Sequence, residues 1–165
     1  MKKILITGGN GYIGRHVTKV LLNKGYDISI ADNKLDGIDN RVKVCNGSIF
    51  NGSKNIYEEL GKPDICIHMA WKDGFVHNSS KHMLDLSKHY EFIENMVNGG
   101  LKHIVVIGTM HEVGYWEGKI DENTPCNPMS MYGIAKNSLR KSLEIKLKDK
   151  EVIFQWLRLY YITGD

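Results

Sequence analysis

A glycine-rich turn near the N-terminus constrains the fold of this chain more than any other stretch of its sequence. The turn runs from Thr7 to Gly14 and reads TGGNGYIG. It follows Lys3–Thr7, an apolar run that predicts a buried strand, and it opens a segment, Tyr12–Lys24, with apolar residues at helical spacing. A strand, a glycine-rich turn and a helix in this order are typical of dinucleotide-binding folds.

Each glycine of the turn has a separate physical use. Gly8 permits the tight turn, Gly11 lets the backbone approach a pyrophosphate, and Gly14 lets the helix pack against the sheet. The first helical turn, which contains Tyr12 and Ile13, offers free N–H groups and the positive end of the helix dipole to the phosphates. These five residues are therefore predicted to bind a dinucleotide cofactor.

The rest of the chain alternates between short apolar runs and longer segments of helical period. Further strands are predicted at Asp27–Ala31, Arg41–Cys45, Asp64–Ala70, His103–Ile107 and Glu151–Tyr160. Further helices are predicted at Ser53–Leu60 and Ser130–Lys148, and the segment His77–Asn98 is predicted to be mostly helical. Strict alternation indicates parallel βαβ units with right-handed crossovers. We therefore expect one α/β domain, residues 1–165, with a doubly wound parallel sheet of the Rossmann type. Its expected strand order is 3-2-1-4-5-6, with a ligand crevice at the carboxyl ends of the strands.

Charge and cysteine content indicate which partners and compartments to expect. The net charge is only +3, and no block of lysine or arginine indicates a nucleic acid or membrane partner. No apolar run approaches the roughly 18 residues that a membrane span needs. The three cysteines, Cys45, Cys66 and Cys126, show no CxxC or zinc-ligand spacing, so we expect no bound metal and a reducing, cytoplasmic location.

Asp32 indicates which dinucleotide the turn holds. It ends the second predicted strand, about 20 residues past the glycine turn, where a carboxylate can accept hydrogen bonds from the adenosine ribose hydroxyls. The same charge repels a 2′-phosphate, so NAD is favoured over NADP. Two nearby cations, Arg15 and Lys34, keep NADP as the less favoured alternative.

A tyrosine and a lysine four residues apart open the helix predicted after the fifth strand. The spacing of Tyr132 and Lys136 places both side chains on one helix face. A free tyrosine has a pKa of about 10, so it is a poor base at neutral pH. We expect the ammonium and a positive nicotinamide ring to lower the pKa of Tyr132, which could then exchange a proton with a sugar hydroxyl.

Several short motifs together resemble the extended short-chain dehydrogenase/reductase family, in particular its NAD-dependent nucleotide-sugar epimerases and dehydratases. The resemblance covers the whole chain. The matching segments are the TGxxGxxG turn, Asp32-Asn33, Gly47-Ser48-Ile49, His68-Met69-Ala70-Trp71, Asn127-Pro128 with Tyr132 and Lys136, and Leu157-Arg158-Leu159-Tyr160-Tyr161. The resemblance implies that Asn33 and, beside the adenine, Ser48 and Ile49 contact the cofactor. It also implies that Met69 and Ala70 line the cofactor and that Tyr132 and Lys136 contact it.

The family places a serine or threonine after its fifth strand as a third catalytic residue. Counting from the strand start puts Thr109 at this position, whereas counting back from Val113 puts Met110 there. Only Thr109 can form a hydrogen bond with a substrate oxygen, so we predict Thr109. His111 and Glu112 are further candidates for an acid or base. His77, His82 and His89 lie on or beside a helix without ligand spacing, and we expect them on the surface.

The resemblance implies hydride transfer on a nucleotide-linked sugar, with Thr109, Tyr132 and Lys136 as catalytic residues. Epimerisation, dehydration and reduction share these residues, so the sequence does not choose among them. Family members run to about twice this length, and their second half grips the nucleotide of the substrate. A truncated or non-catalytic dinucleotide-binding fragment or sensor is therefore the alternative, and a reductase of ketone or flavonoid-like compounds is a third. We expect a nucleotide-sugar partner, and a homodimer is a possible assembly.

Overall fold

Six parallel strands form one sheet in the order β3-β2-β1-β4-β5-β6. The structure, a computed structural model, describes residues 1–34 and 36–164. The strands are β1 Lys3–Thr7, β2 Asp27–Ala31, β3 Lys43–Val44, β4 Ile65–His68, β5 His103–Thr109 and β6 Ile153–Leu159. This is the strand order predicted from the alternating pattern, which is therefore confirmed. Every neighbouring pair of strands is parallel, as the pattern also predicted.

Helices connect the strands on both faces of the sheet. They are α1 Tyr12–Asn23, α2 Ile56–Glu59, α3 Lys81–Leu84, α4 Leu86–Gly99 and α5 Met131–Leu147, and a 3-10 turn covers Met110–Glu112. Ser130 begins α5 because its hydroxyl accepts a hydrogen bond from the Gly133 N–H, 3.2 Å away. Among the described residues, no helix is long and apolar enough to cross a membrane.

The segment His77–Asn98, predicted to be mostly helical, contains two helices, α3 and α4, and a non-helical start. The chain turns before Lys81, because the backbone oxygen of His77 accepts a hydrogen bond from the Tyr132 N–H at 2.9 Å. A break at Asp85 then separates α3 from α4, and the Asp85 carboxylate pairs with Lys88 at 2.6 Å. Residues 77–80 are therefore docked against the start of α5 instead of extending a helix.

Two apolar clusters, one on each face of the sheet, form the core. On one face Leu5, Cys66 and Ile104 pack against Phe92 and Leu139 from the helices. The other face contains Ile4, Ile6, Ile28 and Ile30, which pack against Val17 and Leu21 of α1. Cys66 is buried in this core, whereas Cys45 is only half-buried.

The register of the central strands creates the crevice. Thr7 at the end of β1 lies opposite Ala31 of β2 and His68 of β4. The loops that leave these three strands, beginning at Gly8, Asp32 and Met69, therefore start side by side at one edge of the sheet.

Candidate functional site

A groove of about 490 Å³ occupies the carboxyl edge of the sheet. Eight residues predicted to contact the cofactor line it: Gly8, Gly11, Asp32, Asn33, Ser48, Ile49, Met69 and Ala70. Trp71, the last residue of the motif that begins at His68, lines it as well. Asn10, Phe50 and Lys72 also line the groove and were not predicted to contact the cofactor.

Three predicted contact residues lie in the first turn of α1, outside the groove lining. Gly14 is buried under the turn, Ile13 is half-buried, and the Tyr12 hydroxyl donates to the backbone oxygen of Gly164 at 2.7 Å. Among the described residues, no side chain caps the N-terminus of α1, and its first turn has no acidic residue. The N–H groups of this turn are therefore available to an anion.

Close packing explains two of the three glycines. Gly8 has a φ of +70°, and a Cβ there would lie 2.7 Å from the backbone nitrogen of Ala70. A Cβ at Gly14 would lie 2.7 Å from the Cα of Gly9. At Gly11 the nearest atom would be 3.4 Å away, so the protein leaves that side of the turn open.

The Asp32 carboxylate has a structural role that the sequence analysis did not identify. Its oxygens accept hydrogen bonds from the backbone N–H groups of Asn10 at 2.9 Å and Lys34 at 3.1 Å. It therefore ties the glycine turn to the end of β2. Arg15 reinforces this corner. Its Nε donates to the Asn10 side-chain oxygen at 2.8 Å, and its Nη2 donates to the Asp36 backbone oxygen at 3.2 Å.

Lys136 lies almost fully buried on α5, with only 2% of its surface exposed. Its Nζ donates to the backbone oxygen of Ile107 at 2.7 Å and lies over the Trp71 ring, 4.0 Å from the centroid. Burial lowers the pKa of Lys136 to about 7, and the negative charge of Glu112 opposes part of this shift.

Tyr132 is half-buried one helical turn before Lys136. Burial raises the pKa of Tyr132, the facing Thr109 hydroxyl opposes the shift, and the charge of Glu112 adds to it. Lys136 is not among the groups that shift this pKa here, since its ammonium interacts with Ile107 and Trp71. The predicted lowering by the ammonium together with a nicotinamide ring stays a prediction. Thr109, at the end of β5, is the hydroxyl residue that faces the phenol, whereas Met110 begins the 3-10 turn.

Glu112 is fully buried, which argues against its candidate role as an acid or base. Its carboxylate accepts hydrogen bonds from the Thr109 N–H at 2.8 Å and the Trp156 indole N–H at 3.0 Å. It also lies 3.3 Å from Nε of Arg140 and 3.4 Å from Nε of Arg158. We infer that Glu112 holds Thr109 in place from inside the fold.

A second cavity, of about 590 Å³, opens beside Tyr132. His77, Met110, His111 and Ser130 are among its lining residues. The rings of His77 and His111 lie 4.1 Å apart, and they are 6.0 Å and 5.7 Å from the Tyr132 ring. The candidate acid or base His111 therefore faces this cavity together with His77, which is exposed as predicted.

His82 and His89, which were expected on the surface, are 1% and 2% exposed. His82 Nδ1 accepts the indole N–H of Trp71 at 3.0 Å, and its Nε2 lies 3.0 Å from the Val76 backbone oxygen. His89 Nδ1 lies 2.8 Å from Nε2 of His68, whose Nδ1 lies 2.7 Å from the Thr7 hydroxyl. These hydrogen bonds offset the cost of burying the imidazoles. Burial lowers the pKa of His89 to about 3 and that of His68 well below its ordinary value.

No group of three or more metal-ligating side chains occurs within residues 1–34 and 36–164.

Three comparisons place the chain among known proteins. It is 44% identical to a dTDP-6-deoxy-L-talose 4-dehydrogenase (NAD(+)) of Aggregatibacter actinomycetemcomitans, over 98% of this chain and 62% of that protein. It is 28% identical to a UDP-glucose 4-epimerase of Lactobacillus helveticus, over 98% of this chain and 52% of that protein. The chain thus spans between half and two thirds of the length of these relatives.

The fold agrees with these relatives. The structure of a UDP-Glc/GlcNAc 4-epimerase from Campylobacter jejuni superposes with a TM-score of 0.83 at 23% identity, covering 96% of this chain and 53% of that one. The model of the NAD dependent epimerase/dehydratase family matches residues 4–164. The chain therefore belongs to the NAD dependent epimerase/dehydratase family.

Proposed function

We propose that the chain binds NAD in the groove and serves hydride transfer on a nucleotide-linked sugar. The observation that carries this proposal is the continuity between the groove and the Tyr132–Lys136 pair. Trp71 lines the groove, and its ring lies 4.0 Å from the Lys136 ammonium on the same helix as Tyr132. A dinucleotide that lies along the groove would thus bring one end to this pair.

The residues of the groove fit the parts of NAD. The uncapped first turn of α1 and the open side of Gly11 suit a pyrophosphate, because N–H groups and the helix dipole favour anions there. The Asp32 oxygens can accept further hydrogen bonds from ribose hydroxyls while they hold Asn10 and Lys34. Because a carboxylate repels a 2′-phosphate, this corner favours NAD over NADP.

We assign Tyr132 the role of moving a proton at a sugar hydroxyl, because its ring lies 5.7 Å from the ring of His111, which lines the second cavity. When bound, NAD would supply the hydride acceptor for the sugar carbon, and the positive charge of its nicotinamide would favour a phenolate at Tyr132. The Thr109 hydroxyl lies within hydrogen-bonding reach of the phenol, and we assign it a hydrogen bond to the same substrate oxygen. Lys136 adds a cation and a hydrogen-bond donor to the same site.

The substrate class follows from the relatives and remains part of the proposal. The relative with 44% identity is named for a dTDP-linked 6-deoxyhexose and NAD(+), so we propose a nucleotide-linked 6-deoxyhexose for this chain. His77 and His111 line the cavity where the sugar would lie. The cytoplasm is the location we propose, because its reducing conditions suit three free thiols.

The test measures NADH binding and sugar oxidation on the same preparation. We expect saturable NADH binding and NADH formation from NAD with a dTDP-linked 6-deoxyhexose. Tyr132→Phe should reduce the rate by at least about 100-fold while leaving NADH affinity within about threefold, since proton transfer by a positioned group contributes on this scale. The control is Tyr161→Phe, an exposed tyrosine that lines neither the groove nor the second cavity.

Two results would revise the proposal. Binding of NADH without turnover of any nucleotide sugar would favour the non-catalytic, dinucleotide-binding alternative. Turnover unaffected by Tyr132→Phe would overturn the role given to that residue.

A further inference from the structure

Trp71 connects the groove to the buried interior of the fold. It follows β4 directly and lines the groove together with Met69 and Ala70. Its ring also lies 6.1 Å from the Tyr132 ring. A single side chain therefore touches both the cavity that would hold the cofactor and the helix that carries the proposed catalytic pair.

The indole is held rigidly by two buried histidines. Its N–H donates to Nδ1 of His82 at 3.0 Å, so the second nitrogen of that imidazole is the one that donates to the Val76 backbone oxygen. The His89 ring stacks on the indole at a centroid distance of 4.2 Å and an interplanar angle of 17°. Because His89 is uncharged at neutral pH, it does not compete with an ammonium for the indole π-system.

The Lys136 ammonium needs this support because the protein has removed it from water. Its nearest partners are the Ile107 backbone oxygen and the Trp71 ring, and Glu112 acts on it from a distance through its charge. An aromatic face attracts a cation, and tryptophan does so best among the side chains. The attraction corresponds to a change of about 2- to 30-fold in an equilibrium constant.

We infer that Trp71 is a positioning residue: its indole face holds the Lys136 ammonium at the end of the groove where the cofactor must meet Tyr132. This inference rests on the proposed function, in which Lys136 contacts the bound cofactor. Trp71 acts through Lys136, so an aromatic replacement retains much of the effect, and an aliphatic replacement of similar size loses it.

A double-mutant cycle on NADH affinity tests the inference. The variants are Trp71→Leu, Trp71→Phe, Lys136→Met and the combination of Trp71→Leu with Lys136→Met. We expect Trp71→Leu to weaken NADH binding by about tenfold and Trp71→Phe by less than about threefold, since phenylalanine keeps a π face. With Lys136→Met present, Trp71→Leu should weaken binding by less than about twofold further. Trp116→Leu, at an exposed tryptophan outside the groove lining, is the matched control and should not change affinity.

An NMR readout that needs no cofactor separates the two proposals. The ring current of an aromatic side chain at position 71 should shift the Lys136 methylene protons next to Nζ upfield in the parent chain and in Trp71→Phe, and not in Trp71→Leu. Lys136 signals at ordinary positions in the parent chain would overturn the inference whatever the cofactor does. Equal weakening of NADH binding by Trp71→Leu in the presence and in the absence of Lys136 would also overturn it.

A different result separates this inference from the proposed function. If the upfield shift is present but Lys136→Met leaves NADH affinity unchanged, the proposed role of Lys136 in cofactor binding fails, and the part of the inference that concerns the cofactor fails with it.

Discussion

The Asp32 carboxylate accepts hydrogen bonds from Asn10 and Lys34, so it shapes the groove before any ligand arrives. The distance of Asp32 from the glycine turn predicts that its carboxylate binds the ribose hydroxyls. The structure shows in addition that this carboxylate holds the glycine turn in place. One residue thus serves the architecture and the proposed recognition of ribose.

Replacement of Asp32 by alanine should change which dinucleotide is preferred. We expect NADH affinity to fall by about 10- to 100-fold, because a hydrogen bond to a charged group contributes about 1.5–3 kcal/mol. NADPH affinity should fall less, because the repulsion of the 2′-phosphate disappears at the same time. Fluorescence titration of both cofactors measures the ratio, with the exposed Asp149→Ala as control. An unchanged ratio would contradict the role of Asp32 in recognition.

At the scale of elements, sequence reasoning works where a signal is local. The apolar runs predict every strand, because the hydrophobic period of a strand is set by a few neighbouring residues. The alternation of strands and helices, with the glycine turn after the first strand, predicts the sheet order. The burial of His82, His89 and Glu112 could not be predicted in this way. Their partners belong to other elements, as when Glu112 meets Trp156 and Arg158 more than 40 residues later. A buried polar group is explained only by partners that the fold assembles.

The His68–His89 pair between β4 and α4 should make the protein sensitive to acid. The folded state keeps His89 neutral down to a pH of about 3, whereas the unfolded chain protonates it near pH 6.5. Stability is therefore present above pH 6.5 and is lost as the pH falls from 6.5 towards 3, at about 1.4 kcal/mol per pH unit from His89.

His89→Phe should weaken this dependence. At pH 7 the variant should be less stable by about 1–3 kcal/mol, because Nε2 of His68 loses its partner. Between pH 6.5 and 4 it should lose less stability than the parent chain. Urea unfolding across this range measures both effects, with the exposed His16→Phe as control. Parallel stability curves for His89→Phe and the parent would contradict the assignment.

At the scale of the whole molecule, the buried lysine of the site lowers the free energy of unfolding of the protein. Lys136 is buried with a pKa of about 7, against an ordinary value of about 10.5 in an unfolded chain. The folded state thus binds this proton less strongly than the unfolded state does. The resulting destabilisation is complete below pH 7 and fades as the pH rises from 7 to 10.5.

Lys136→Met should therefore stabilise the fold while it impairs the site. We expect a gain of up to about 5 kcal/mol in the free energy of unfolding at pH 6, since each unit of pKa shift corresponds to about 1.4 kcal/mol. The gain should be smaller at pH 9. Urea unfolding at the two pH values measures it, with Lys141→Met, which removes an exposed ion pair to Glu144, as control. A variant less stable than its parent at both pH values would show that the buried charge of Lys136 does not destabilise the folded state.

Calorimetric titration with NADH addresses the proposed groove at the same scale. We expect one NADH per chain and a loss of at least about tenfold in affinity in Gly8→Ala, where a Cβ would lie 2.7 Å from the Ala70 nitrogen. The control is Gly25→Ala, because Gly25 also has a positive φ, of +82°, but a Cβ there meets no atom within 4 Å. Saturable binding that Gly8→Ala weakens and Gly25→Ala preserves is the result we predict. Absence of saturable binding, or binding that Gly8→Ala leaves unchanged, would contradict the assignment of this groove to NAD.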